Sequence, residues 1–208
     1  SSAVTLEATL NPDFSQIEAD ADQIDVNTTI VQQYPERRPF FQEGNDLFHT
    51  MFNSFYTRMV NDPEVAAKGT ARWDRTSVAW TLARDEHSPY IIPLEERSRP
   101  VAMGRSTVNV ARLLHSFRPG TQGGLMVTDR RYDGGGAGTI LSADANVRLT
   151  RTLSWASQVI ESFTEEPTDR PVGGAATFAD GAHTVALDGE RFHGGALITE
   201  LRRRARDW

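Results

Sequence analysis

"LSADANVRLT", residues 141–150, changes character at every step. Leu141, Ala143, Ala145, Val147 and Leu149 form one set; Ser142, Asp144, Asn146, Arg148 and Thr150 form the other. A helix would spread both sets around its circumference, whereas a strand gives each its own face. The stretch therefore reads as a strand with one apolar and one polar side. After the polar turn TRT, Leu153, Trp155, Val159 and Phe163 continue one alternate set, and Ser154, Gln158 and Ser162 lie on the other. That pattern predicts a hairpin.

The same period recurs outward from this hairpin. In AVTLEATL, Val4, Leu6, Ala8 and Leu10 alternate with Thr5, Glu7 and Thr9. KGTARW and SVAWTLA flank the short turn DRT, and STVNVARLL, GLMVTDRRY, HTVALDG and GGALITELR are further strand candidates. The result is about nine to eleven strands of about 9–12 residues, against about five or six residues in ordinary globular strands and about 9–11 in tilted membrane-spanning ones. Helical signal is thin. GNDLFHTMFNSFYTRMV predicts an irregular or short helical piece leading into a strand at SFYTRMV.

The connectors differ in length. DRT and TRT are tight; RDEHSPYIIPLEERSRPVAMG, RPGTQG and TEEPTDRPVGGAATFADG are longer and rich in Pro, Gly and charge. Short turns alternating with long loops are a habit of outer-membrane barrels. A soluble antiparallel barrel or sandwich fits the pattern equally well, because the apolar face carries many alanines and few large side chains. The 208 residues suffice for one substantial domain, and the net charge of −6 speaks against a nucleic-acid binder. The absence of cysteine excludes disulfides, thiolate metal sites and cysteine nucleophiles. No apolar run is long enough for a transmembrane helix, but half-apolar strands escape that test. The chain opens inside a strand pattern without a signal peptide, so it reads as a mature piece or a fragment.

Two segments after the first strand carry a resemblance. LNPDFSQIEADADQIDVN is acidic and irregular; YPERRPFFQEGNDLF sets paired arginines beside paired phenylalanines, and FYTRM follows. Together they resemble the barrel region of a bacterial envelope family described as domain of unknown function 5916 (DUF5916), or as carbohydrate-binding family 9-like domain-containing proteins. There an acidic NPDFSQVEAD-type run precedes a PEKRPFFLEG-type run and an FYSRR-type segment. The resemblance is specific over residues 4–58 and general beyond. Arg37 stands where lysine is frequent, Gln42 where leucine is, and Met59 where a second arginine is common.

The resemblance implies an all-β antiparallel meander that is part of a transmembrane outer-membrane β-barrel. Location in the bacterial outer membrane and contact with its lipid follow. Residues 1–208 then form a single barrel region of a larger protein, with 11–48 an inserted irregular plug or constriction. Trp73, Trp80, Trp155, Tyr132 and Phe163 would form aromatic girdles at the membrane interfaces. Inside a polar lumen, carboxylates and arginines pair in forked hydrogen bonds. Candidates for the lumen or constriction are Asp13, Glu18, Asp20, Glu36, Arg37, Arg38 and Arg58 from the inserted segment, with Glu7, Asp144, Asn146 and Arg148 from the strands. Asp13, Glu18 and Asp20 are expected to meet Arg37, Arg38, Arg58 or Arg72. Pro35 and Pro39 exclude regular ladder pairing there, and Phe40 and Phe41 supply an apolar anchor.

Other chemistry has weaker signals. Asp13, Glu18, Asp20, Asp22 and Asp25 could bind Ca²⁺, but no glycine occurs before residue 44 to turn a binding loop. Paired carboxyls could serve a glycoside hydrolase if held about 5–10 Å apart, a separation the sequence does not encode. The five histidines lack metal-site spacing, and no HExxH or GxSxG occurs. GGGAG at 134–138 lacks the lysine and helix of a phosphate loop and reads as a hairpin connection. No catalytic residue, metal ligand or cofactor is assigned. The leading expectation is a passive channel or surface-binding role with a charged lumen. The alternative is a carbohydrate-binding module without transport, stacking glycan on Tyr90 or Tyr132. Expected partners are outer-membrane lipid, then glycan or other envelope proteins, and not nucleic acid.

Overall fold

The computed structural model describes residues 3–12, 36–93, 98–168, 177–178, 183–184 and 186–204. Twelve strands lie among them: β1 (Ala3–Leu10), β2 (Pro63–Trp73), β3 (Thr76–Asp85), β4 (Pro89–Pro93), β5 (Ser98–Ala102), β6 (Ser106–Arg118), β7 (Thr121–Tyr132), β8 (Ala137–Arg148), β9 (Leu153–Glu165), β10 (Thr177–Phe178), β11 (His183–Thr184) and β12 (Arg191–Arg203). Eight of them make one antiparallel sheet in the order β1-β2-β3-β6-β7-β8-β9-β12. The other four pair as β4 with β5 and β10 with β11. The all-β antiparallel meander read from the period of two is therefore the fold. β1 and β12 are the two edges of the large sheet, which is open rather than closed on itself.

Three local expectations are corrected. SFYTRMV is not a strand; Thr57–Met59 forms a 3₁₀ turn and the strand begins at Pro63. Phe55 packs against buried Phe48 there, so the aromatic spacing serves a local cluster rather than a ladder. HTVALDG contributes only the two-residue β11. RPGTQG is not a long loop. Pro119 and Gly120 alone separate β6 from β7, with Gly120 at φ 76°. Proline fixes φ at the first turn position and glycine supplies the left-handed second one, so two residues reverse the chain. The short helical reading of GNDLF holds, as a 3₁₀ helix over Asn45–Phe48.

Turns at one end of the sheet are tight: Asp74–Arg75, Pro119–Gly120 and the four residues 149–152. The opposite end carries the long connections 11–62, 86–105 and 166–190, and the short one at 133–136.

One face of the sheet is covered by residues 36–60. This insert starts with one helical turn, α1 (Pro39–Gln42), runs through the 3₁₀ helix and returns to β2. Its Phe41, Leu47, Phe48 and Val60 are buried against Ala66, Ala79, Ala83, Val108, Val110 and Met126 of the sheet. The three alanines leave room for the aromatic rings, so large side chains of one layer fill the space above small ones of the other.

The other face is uncovered among the described residues, and a continuous aliphatic row crosses it. Val4, Ala71, Val78, Leu113, Leu125, Ala143, Val159 and Leu197 pair successively from one edge of the sheet to the other. Every member of this row is aliphatic. Leu197 and Leu125 are 69% and 57% exposed, whereas Arg112 and Gln158 on the covered face are 3% and 0% exposed.

Candidate functional site

The covered face joins the insert to the sheet through polar groups. Gln158 on β9 is the clearest. Its amide oxygen accepts from the Phe52 backbone N–H at 2.6 Å, and its amide nitrogen donates to Ser142 Oγ at 2.8 Å and Ser54 Oγ at 3.3 Å. Both ends of a fully buried amide are thereby satisfied, which offsets the cost of removing it from water.

Arg112 on β6 is the second anchor. Its guanidinium forks onto Asp144 of β8, with Nη1 to Oδ2 at 2.5 Å and Nη2 to Oδ1 at 2.9 Å. Its Nε donates to the Leu47 carbonyl at 3.1 Å. Room for this fork comes from Gly124 between them, where a Cβ would meet the guanidinium at 2.5 Å. Lys68 of β2 lies 3.2 Å from Glu7 and 3.9 Å from Glu43, with its ammonium 5.1 Å from the centroid of the Phe40 ring. Arg72 donates to both carboxylate oxygens of Asp46.

Arg38 closes the insert on itself. It donates to the carbonyls of Val60 at 2.6 Å and Thr57 at 2.9 Å, forks onto Glu36 at 2.9 and 2.8 Å, and lies over the Phe41 ring. The pair is buried, with side chains 4% and 5% exposed. Burial alone would raise the Glu36 pKa. Hydrogen bonds from Arg38 and Thr57, and the Arg38 charge, outweigh it and hold the carboxyl below its ordinary 4.5.

Toward the long-loop end, Asp85 is fully buried. It accepts from the Asp62 N–H at 2.6 Å and from Ser88 Oγ at 2.7 Å. Arg130 lies 3.8 Å from it and donates to the Met59 carbonyl at 2.6 Å.

The residues singled out from sequence divide accordingly. Glu36, Arg38, Asp144 and Glu7 belong to this network. Arg37 is exposed. Arg58 lies in the 3₁₀ turn, its side chain outside the described residues. Asn146 and Arg148 sit exposed near the tight-turn end, where the Arg148 stem covers Gly120. Asp13, Glu18 and Asp20 lie outside the described residues, as does most of the 11–48 span. Arg38 engages Glu36 and Arg72 engages Asp46; the expected meetings with Asp13, Glu18 and Asp20 fall outside the described residues. Tyr132 is on the covered face, not in a girdle; its ring meets Tyr90 of β4 edge to face at 5.9 Å. Burial first, and then the Glu166 charge, push the Tyr90 hydroxyl up. Trp80 stands in mid-strand, while Trp73 and Trp155 are exposed at the tight-turn end.

Gln158, Arg112, Lys68 and Asp85 were missed. Gln158 was visible on the polar set of its strand. Arg112 was not, because it interrupts the otherwise apolar set Val108, Val110 and Leu114.

No curated protein and no solved structure matches the chain. Residues 1–77, which hold β1, the insert and β2, match the family described as Domain of unknown function (DUF5916), so the resemblance read from NPDFSQIEAD and PERRPFFQEG is shown over that stretch.

Proposed function

We propose that this sheet is part of the wall of a β-barrel in the bacterial outer membrane, with lipid on its aliphatic face and a polar passage on the other. Residues 36–60 narrow that passage, and solutes cross by size and charge without a catalysed step. The single observation that carries the reading is the uninterrupted aliphatic row from Val4 to Leu197 on the uncovered face, with Lys68, Arg112 and Gln158 buried on the covered one. Seven inter-strand gaps of about 4.8 Å make that face roughly 34 Å wide. On β8 and its turn, Leu141 to Leu149 runs about 27 Å along the strand, or about 20 Å across a bilayer at a tilt near 40°, against an apolar band of about 25 Å in such barrels.

The interior supports a wide wall. An eight-stranded barrel is filled by side chains alone. A lumen that accommodates a folded insert needs more strands, which β1 and β12 would receive at their open edges.

Reconstitution tests this reading. The chain should need detergent, enter lipid vesicles in a form protected from protease, and show heat-modifiable mobility on a gel. A monodisperse, detergent-free solution in which Leu113, Leu125 and Leu197 are shielded from water by the protein's own packing would overturn it.

A further inference from the structure

Outside the network just described, three side chains of different chemistry converge at the long-loop end. Asp62 precedes β2, and Glu86 and His87 follow β3. One carboxylate oxygen from each acid and one imidazole nitrogen lie within 4.8 Å of one another. His87 Nδ1 is 2.7 Å from Asp62 Oδ2.

Beneath them is a fixed base. The Glu86 N–H donates to the Asp62 carbonyl at 2.8 Å, which ties the two limbs together. The Asp62 N–H donates to buried Asp85, and Ser88, the residue after His87, binds the other oxygen of Asp85 and also Ser106 Oγ at 2.6 Å. Thus every backbone carrying a donor is held within one or two residues of a fully buried carboxylate. Metal sites depend on such supporting contacts to fix the direction of their ligands.

We propose that Asp62, Glu86 and His87 form a binding site for one divalent transition-metal cation of the Zn²⁺ type. An imidazole with two carboxylates suits Zn²⁺ better than Ca²⁺ or Mg²⁺, which take oxygen donors. Three protein ligands leave a fourth position for water or an incoming group. The neighbouring cation, Arg105, is engaged chiefly by Glu64 at 2.7 Å and reaches only one oxygen of Glu86, at 3.2 Å. The inference stands apart from the membrane reading, since it uses only loop geometry.

The test is calorimetric titration of ZnCl₂ into the metal-stripped full chain in detergent. One saturable equivalent is expected. His87→Ala and Asp62→Asn should each weaken it by about tenfold or more, a difference of one decade in Kd. His193→Ala, at the other exposed histidine–carboxylate pair with Glu161, should leave it unchanged. These donors are on the surface, and tryptophan fluorescence verifies folding of each variant. Absence of saturable binding, or binding that His87→Ala leaves intact, would overturn the proposal.

Discussion

Leu113 on β6 faces Leu125 on β7 across the ladder, and both are open to the outside at 41% and 57% exposure. Their chain neighbours Arg112 and Met126 also form a pair, on the opposite side, and are 3% and 4% exposed. One step along β6 thus exchanges an exposed leucine for a buried arginine, and one step along β7 exchanges an exposed leucine for a buried methionine.

The first prediction concerns that leucine pair. If the proposed membrane reading holds, Leu125→Arg should reduce insertion into vesicles, because a cation on the lipid side near mid-bilayer costs about 2–4 kcal/mol in outer-membrane barrels. Gln122→Arg, at the tight-turn end of the same strand, should have a much smaller effect. Equal, undiminished folding of both variants in lipid, followed by protease protection, would contradict a lipid-facing Leu125.

A second prediction addresses the hold on the insert. Gln158→Ala strands the Phe52 N–H and the Ser142 and Ser54 hydroxyls, at a cost of about 1–3 kcal/mol for a buried group left unpaired. Faster amide exchange at residues 52–54 than in the parent protein is the expected result. In planar bilayers the same variant should give larger or noisier currents. Unchanged exchange would mean that Gln158 does not hold the insert.

The Arg112 and Asp144 fork gives a third. Arg112→Ala leaves Asp144 and the Leu47 carbonyl without their donor and should destabilise by about 3–5 kcal/mol. Combining Arg112→Met with Asp144→Leu should cost less than the sum of the two single changes, and a double-mutant cycle measures the coupling. Gly124→Ala should resemble Arg112→Ala in direction, since its methyl group occupies the space of the guanidinium. Simple additivity would remove the pair from the account.

Acid supplies a fourth. The Glu36 pKa is lowered in the folded protein, so its contribution is complete above the ordinary value of 4.5 and is lost as pH falls through the folded value. Acidification below 4.5 should loosen residues 36–60 before the sheet itself unfolds. Protease sensitivity of the insert reads this directly. Glu36→Gln should remove the acid step while weakening the insert at neutral pH. An acid step of the same size in that variant would assign it to another group.

The contacts of Arg38 separate the two members of the arginine pair. If the inserted segment narrows a passage, neutralising Arg37 and Arg38 should raise conductance or change ion selectivity in planar bilayers. Arg38 proves to be a buried clip joining Glu36, Thr57 and Val60. Changing it should therefore unfasten the insert, whereas exposed Arg37 is the better probe of charge selection.

What the sequence determined by itself was the strand character of residues 141–150 and its repetition along the chain. A period of two is a property of neighbouring residues, and no distant contact is needed to produce it. The tight turns at Asp74–Arg75 and 149–152 were legible for the same reason. Only the tertiary structure decided which alternate set faces inward, because that depends on what covers the sheet. Gln158 is buried by Phe52, 106 residues earlier in the chain. Arg112 meets Asp144 across the intervening β7, through the space that Gly124 leaves, and Asp62 reaches His87 only because β2 and β3 pair. Such meetings arise from register and from the return path of the insert, and local pattern carries no record of either.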